Sequence, residues 1–142
     1  MRSVLLALSL ALVALPASSA TPLLHASATC APATKPGRIR CRAVLELPLE
    51  RAAQSRIGWS EVRIVGGHPS VTPLRGRLGP LDAETRDDGR VAWSFSVAAA
   101  SQGELPMEVR LLATLESRQG GPPISTDQKL VVPVRVIPEP KP

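Results

Sequence analysis

From Gly37 to Leu47 the chain reads Gly-Arg-Ile-Arg-Cys-Arg-Ala-Val-Leu-Glu-Leu. Ile39, Cys41, Ala43, Leu45 and Leu47 are apolar, Arg38, Arg40, Arg42 and Glu46 are charged, and Val44 is the one departure. A hydrophobic repeat of two places alternate side chains on opposite faces of an extended strand, and it conflicts with the 3.6-residue repeat of an amphipathic helix. The stretch therefore reads as a half-buried strand. One face feeds a core, and the other turns three arginines to solvent.

The same period recurs downstream. Val91, Trp93, Phe95 and Val97 alternate with Ala92, Ser94 and Ser96, and Met107, Val109, Leu111, Ala113 and Leu115 alternate with Glu108, Arg110, Leu112, Thr114 and Glu116. In the last such run, Lys129 to Ile137, Leu130, Val132, Val134 and Val136 point inward, and the outward Pro133 lacks a donor, which predicts an edge strand or a bulge. Ile57 to Val65 is a further strand, with Ser60, Val62 and Ile64 on the core side against Trp59, Glu61 and Arg63. Val71 to Leu78, interrupted by Pro73 and Gly76, is predicted as an edge strand, and Leu24 to Cys30 as a short edge strand joined to the arginine strand by the Pro36-Gly37 turn. Leu49 to Arg56 has the only helical propensity, enough for one turn.

Gly66-Gly67-His68-Pro69, Asp88-Gly89 and Gly120-Gly121-Pro122-Pro123 separate these runs with turn signals. Six or seven short strands with almost no helix predict an all-β fold, an immunoglobulin-like antiparallel β-sandwich spanning residues 21–137. The chain holds no tyrosine, so the tyrosine corner of many such domains is missing, and its two cysteines lie too near the first turn to bridge the sheets.

The amino terminus sets the compartment. Arg2, the apolar run Val4 to Leu15 and Pro16-Ala-Ser-Ser-Ala20 form a secretory signal peptide over residues 1–20, cleaved after Ala20. The run is too short to span a bilayer, so no transmembrane segment is expected after cleavage. About 120 residues remain, one domain by size. Pro138 to Pro142 alternates proline with charge and reads as a flexible tail. In a periplasmic or secreted protein Cys30 and Cys41 are expected as one disulfide, worth about 2 to 4 kcal/mol by loop-closure entropy. A redox-active pair would more typically be spaced Cys-x-x-Cys.

Chemistry-bearing motifs are scarce. His25 and His68 stand alone, and the chain has no nucleophile elbow, phosphate loop or zinc-binding helix motif, so no catalytic residues and no cofactor are expected. A metal carrier is the alternative reading. His25 offers one copper ligand but no methionine cluster follows it, and Asp82, Glu84, Asp87 and Asp88 gather carboxylates for calcium without the spacing of a known loop. The formal charge of +5, reduced by one when Arg2 is removed, permits an anionic partner.

The sharper expectation is geometric. In the predicted strand order Arg38, Arg40 and Arg42 lie on one side of the small residues Ala92, Ser94 and Ser96, with Arg75 and Arg77 beyond, so that guanidinium columns flank a shallow strip. The function expected is an exported non-catalytic module that binds a macromolecule: an anionic polysaccharide, a lipid headgroup or an acidic protein. Nucleic acid is not expected, because no stacking aromatics interleave with the arginines.

Overall fold

The structure, a computed structural model, describes residues 23–140; the expected signal peptide lies outside them. The chain runs β1 (His25–Cys30), β2 (Gly37–Glu46), one helical turn α1 (Leu49–Ala52), β3 (Ser55–Gly67), β4 (Val71–Pro73), β5 (Arg77–Leu78), a 3-10 turn (Pro80–Asp82), β6 (Thr85–Arg86), β7 (Arg90–Ala99), β8 (Gly103–Ser117) and β9 (Ile124–Val136). All strand pairs are antiparallel, and they form two sheets. One has the order β1-β2-β7-β4, with β6 also on β7; the other has the order β5-β3-β8-β9.

The two-residue periods decide which face each strand buries. Ile39, Cys41, Ala43 and Leu45 of β2, Val91, Trp93, Phe95 and Val97 of β7, Met107 to Leu115 at odd positions of β8, and Val132, Val134 and Val136 of β9 all enter a single core cluster. Trp93 is its largest fully buried side chain, and its indole N–H donates to the Gly79 carbonyl at 2.9 Å, so the ring is buried without stranding a donor. In β3 a register shift between Ile57 and Ser60 lets an odd and then an even series face inward. Gly67 closes that strand with φ +136°, and a Cβ there would lie 2.5 Å from the Pro106 carbonyl, so only glycine fits.

The expected edge strand Val71 to Leu78 is not one strand. Pro73 ends β4 on the first sheet, Leu74 to Gly76 cross over, and Arg77 and Leu78 pair with Arg63 and Val62 on the second. Proline and glycine, which made the stretch a poor central strand, permit the crossing. The short β6, inside the predicted polar loop, brings the total to nine strand segments among the described residues.

At the opposite side the sheets are tied together. Ala33 N–H donates to the Arg135 carbonyl at 3.0 Å and Ile137 N–H to the Ala33 carbonyl at 2.9 Å, a single parallel bridge between the β1–β2 loop and the end of β9. Cys30 and Cys41 are register partners joined by a disulfide, their Cα atoms 4.0 Å apart. The staple is compatible with an extracellular or periplasmic protein. Among the described residues no helix is long and apolar enough to cross a membrane.

Candidate functional site

Because Ile39 to Leu45 bury their odd positions, Arg38, Arg40 and Arg42 all emerge on the outer face of the first sheet, exposed. Side chains on one face of a strand repeat about every 7 Å, so three guanidinium stems stand in a column. Register sets their neighbours. Arg42 lies between Thr29 and Ser94, Arg40 beside Ser96, and Arg38 beside Ala98, with Thr72 of β4 beyond it. Hydroxyls and small side chains surround the column; none of them carries a compensating charge. Among the described residues none of these three arginines has a carboxylate partner.

Arg75 joins this surface from the crossing segment. Its Nη1 donates to Asp82 Oδ1 at 3.0 Å, and Asp82 Oδ2 accepts the Gly79 N–H at 2.8 Å. The Gly79 amide first, and Arg75 second, hold the Asp82 carboxyl below its ordinary pKa, so it stays ionised at neutral pH. The indole bond of Trp93 to Gly79 fixes the loop that carries this pair. Arg38, Arg75, Ser94 and Ser96 line one groove of about 340 Å³ with Phe95, Leu74 and Leu78.

Arg77 is elsewhere. After the crossing it pairs on the second sheet, where its guanidinium and that of Arg63 bind the two oxygens of Glu61. Glu61 is only 1 % exposed although it lies on the outward side of β3, so the two cations keep a buried carboxylate compensated and serve packing. Ala92 also departs from the predicted strip: it is fully buried, where β6 pairs across it. Of the expected array, Arg38, Arg40, Arg42 and Arg75 lie around Ser94 and Ser96, and Arg77 and Ala92 do not.

The remaining candidates have local duties. His68 Nδ1 accepts the Ser70 N–H at 3.0 Å, within the turn that follows β3. Asp87 Oδ1 accepts the Gly89 and Arg90 amides at 2.9 and 2.8 Å, Asp88 pairs with Arg118, and Asp82 is engaged as above. Asp82, Asp87 and Asp88 are therefore tied to separate partners, and among the described residues no three or more His, Cys, Asp or Glu gather to hold a metal ion.

Sequence reasoning missed one element of the site. β4 stops at the Pro73–Val97 pair and β6 starts at Thr85–Ala92, so the edge of β7 is open at Ser94, between the engaged carbonyls of Ala92 and Ser96. The Ser96 carbonyl accepts Leu74 N–H at 3.1 Å and the Ala92 carbonyl accepts Glu84 N–H at 2.8 Å, both on this edge. Backbone groups alternate sides along a strand, so Ser94 N–H and C=O face the same edge, at a position neither neighbour reaches. The Pro-x-x-Gly break at Pro73 to Gly76 was the only sequence signal for it. The chain matches no protein-family model and no curated protein.

Proposed function

We propose that the protein is an exported, non-catalytic module of immunoglobulin-like sandwich type that binds an anionic macromolecule through Arg38, Arg40 and Arg42. The order β1-β2-β7-β4 facing β5-β3-β8-β9 supports the sandwich reading, because β2 pairs β7 and β3 pairs β8 across long stretches of sequence, as Greek-key connections require. Signal-peptide features over residues 1–20 and the Cys30–Cys41 bond support export to the periplasm or beyond.

The observation that carries the binding reading is an arginine column that has no carboxylate partner among the described residues and whose cross-strand neighbours are hydroxyl-bearing or small. Guanidinium groups present several donors in a plane and bind carboxylate, sulfate or phosphate with paired hydrogen bonds. The test compares the protein with an Arg38→Ala, Arg40→Ala, Arg42→Ala variant against a sulfated polysaccharide, anionic vesicles and an acidic protein over a range of salt. Salt-dependent binding that the variant loses supports the reading. Equal binding by both proteins removes the column from the account.

A further inference from the structure

The open edge of β7 combines three features in one groove. Ser94 presents a backbone donor and acceptor that β4 and β6 leave uncovered. On the inner side of that edge lie apolar Phe95 and Leu78, and on the outer side lie Arg38 and Arg75 with the hydroxyls of Ser94 and Ser96. Asp82 shares the groove, but both its oxygens are engaged, by Arg75 and by Gly79 N–H. Arg38 is unpaired among the described residues, so the groove keeps a positive surplus.

A peptide in extended form matches all three at once. One residue opposite Ser94 exchanges two backbone hydrogen bonds with it, and residues directly opposite in a sheet point to the same face. Its side chain therefore emerges among the arginines, while its two neighbours in sequence turn inward toward Phe95 and Leu78. The gap between the engaged Ala92 and Ser96 carbonyls is four residue steps, roughly 13 Å, and admits about three residues. A polysaccharide has no donor–acceptor repeat to complete the edge.

We propose that this notch is a strand-addition site for a short extended segment of a partner protein, with an acidic side chain opposite Ser94 and apolar residues on either side. The inference rests on the anionic-partner reading and narrows it to one class of partner, an acidic peptide. It is tested on the isotope-labelled full chain with three blocked peptides: valine-glutamate-valine, the same peptide with its glutamate nitrogen methylated, and valine-glutamine-valine. The parent peptide is expected to shift the Ser94 amide resonance and slow its hydrogen exchange. The N-methyl and glutamine peptides are expected to bind roughly tenfold more weakly, or worse.

Equal affinity for the parent and N-methyl peptides overturns strand addition, as does binding without protection of the Ser94 amide. A sulfated oligosaccharide, run in parallel, separates the two levels. If it binds through Arg38, Arg40 and Arg42 while the peptides do not engage Ser94, the notch proposal fails and the basic-face reading stands. If neither ligand binds, both fail. Because the protein is unaltered in every peptide arm, a folding defect cannot mimic any outcome.

Discussion

On the outer face of the second sheet, Glu104 meets Arg135 at 3.5 Å, Glu108 meets Lys129 at 3.2 Å, Arg56 meets Glu116 at 2.8 Å and Arg110 binds Asp127 through both nitrogens it offers. On the outer face of the first sheet, Arg38, Arg40 and Arg42 stand on β2 with threonine, serine and alanine beside them. Both faces are rich in arginine, yet one is neutralised locally and the other is not. The difference teaches that total charge is a poor guide to where an anion would bind. Whether a cation already has a carboxylate in its own row is the better one.

The experiments that best break this comparison are ranked by expected effect. Replacing Cys30 and Cys41 with alanine unstaples the strand next to the arginine column and is expected to lower unfolding free energy by about 2 to 4 kcal/mol, read by urea titration. A loss confined to noise would mean β1 holds without its staple. Glu61→Gln removes the buried carboxylate that gathers Arg63 and Arg77, and is expected to cost about 1 to 3 kcal/mol. It also frees two cations on the second sheet; polyanion binding that rises in this variant would sharpen the pairing rule.

The triple alanine replacement of Arg38, Arg40 and Arg42 is expected to weaken polyanion binding at least roughly tenfold, about 1.4 kcal/mol, with stability changed by less than about 0.5 kcal/mol. A large stability loss would instead assign the column to folding. Glu104→Gln with Glu108→Gln strips two carboxylates from the β8–β9 ladder, and exposed pairs of this kind contribute about 0 to 1 kcal/mol each. If the rule holds, this variant gains polyanion affinity on a face that had little.

The smallest effect is on pH. Asp82, held low by Gly79 N–H and then Arg75, and Asp127, held low chiefly by its hydrogen bonds from Arg110, both titrate below their unfolded values. The unfolded chain therefore binds more protons, so their stabilisation is complete above the ordinary carboxylate range and is lost as pH falls through the depressed folded values. Both sites are exposed, so a modest acid-side decline in melting temperature is expected, absent from an Asp82→Asn, Asp127→Asn variant.

Much of the fold is legible in the amino-acid order, and for definite reasons. The inward sets of β2, β7, β8 and β9 follow from local alternation alone, since a strand with one buried face cannot slip by one residue without exposing every apolar side chain. The disulfide is expected from two cysteines eleven residues apart across a turn, and Pro133 sits, as expected, on an edge strand. The fate of Arg77 is not legible. Its partner Glu61 lies sixteen residues earlier, and Pro73 and Gly76 mark a break there without saying that the chain changes sheets. The notch is equally hidden, because it depends on where two neighbouring strands stop rather than on any property of Ser94.

The position of the cysteine bond makes the two ends of the domain mechanically unequal. A pull on the amino-terminal end peels β1 from β2 one residue at a time, but after His25 to Cys30 it meets a covalent link, and the load passes directly into β2 behind the arginine column. A pull on the carboxyl-terminal end must first break the two hydrogen bonds of the Ala33 bridge, after which the thirteen-residue β9 has no covalent link to stop it and can unzip from β8 from the Val136 end inward. Tethered by its amino-terminal end, the module would bear force through the strand that carries its binding face; tethered by the other, it would open from its far edge first.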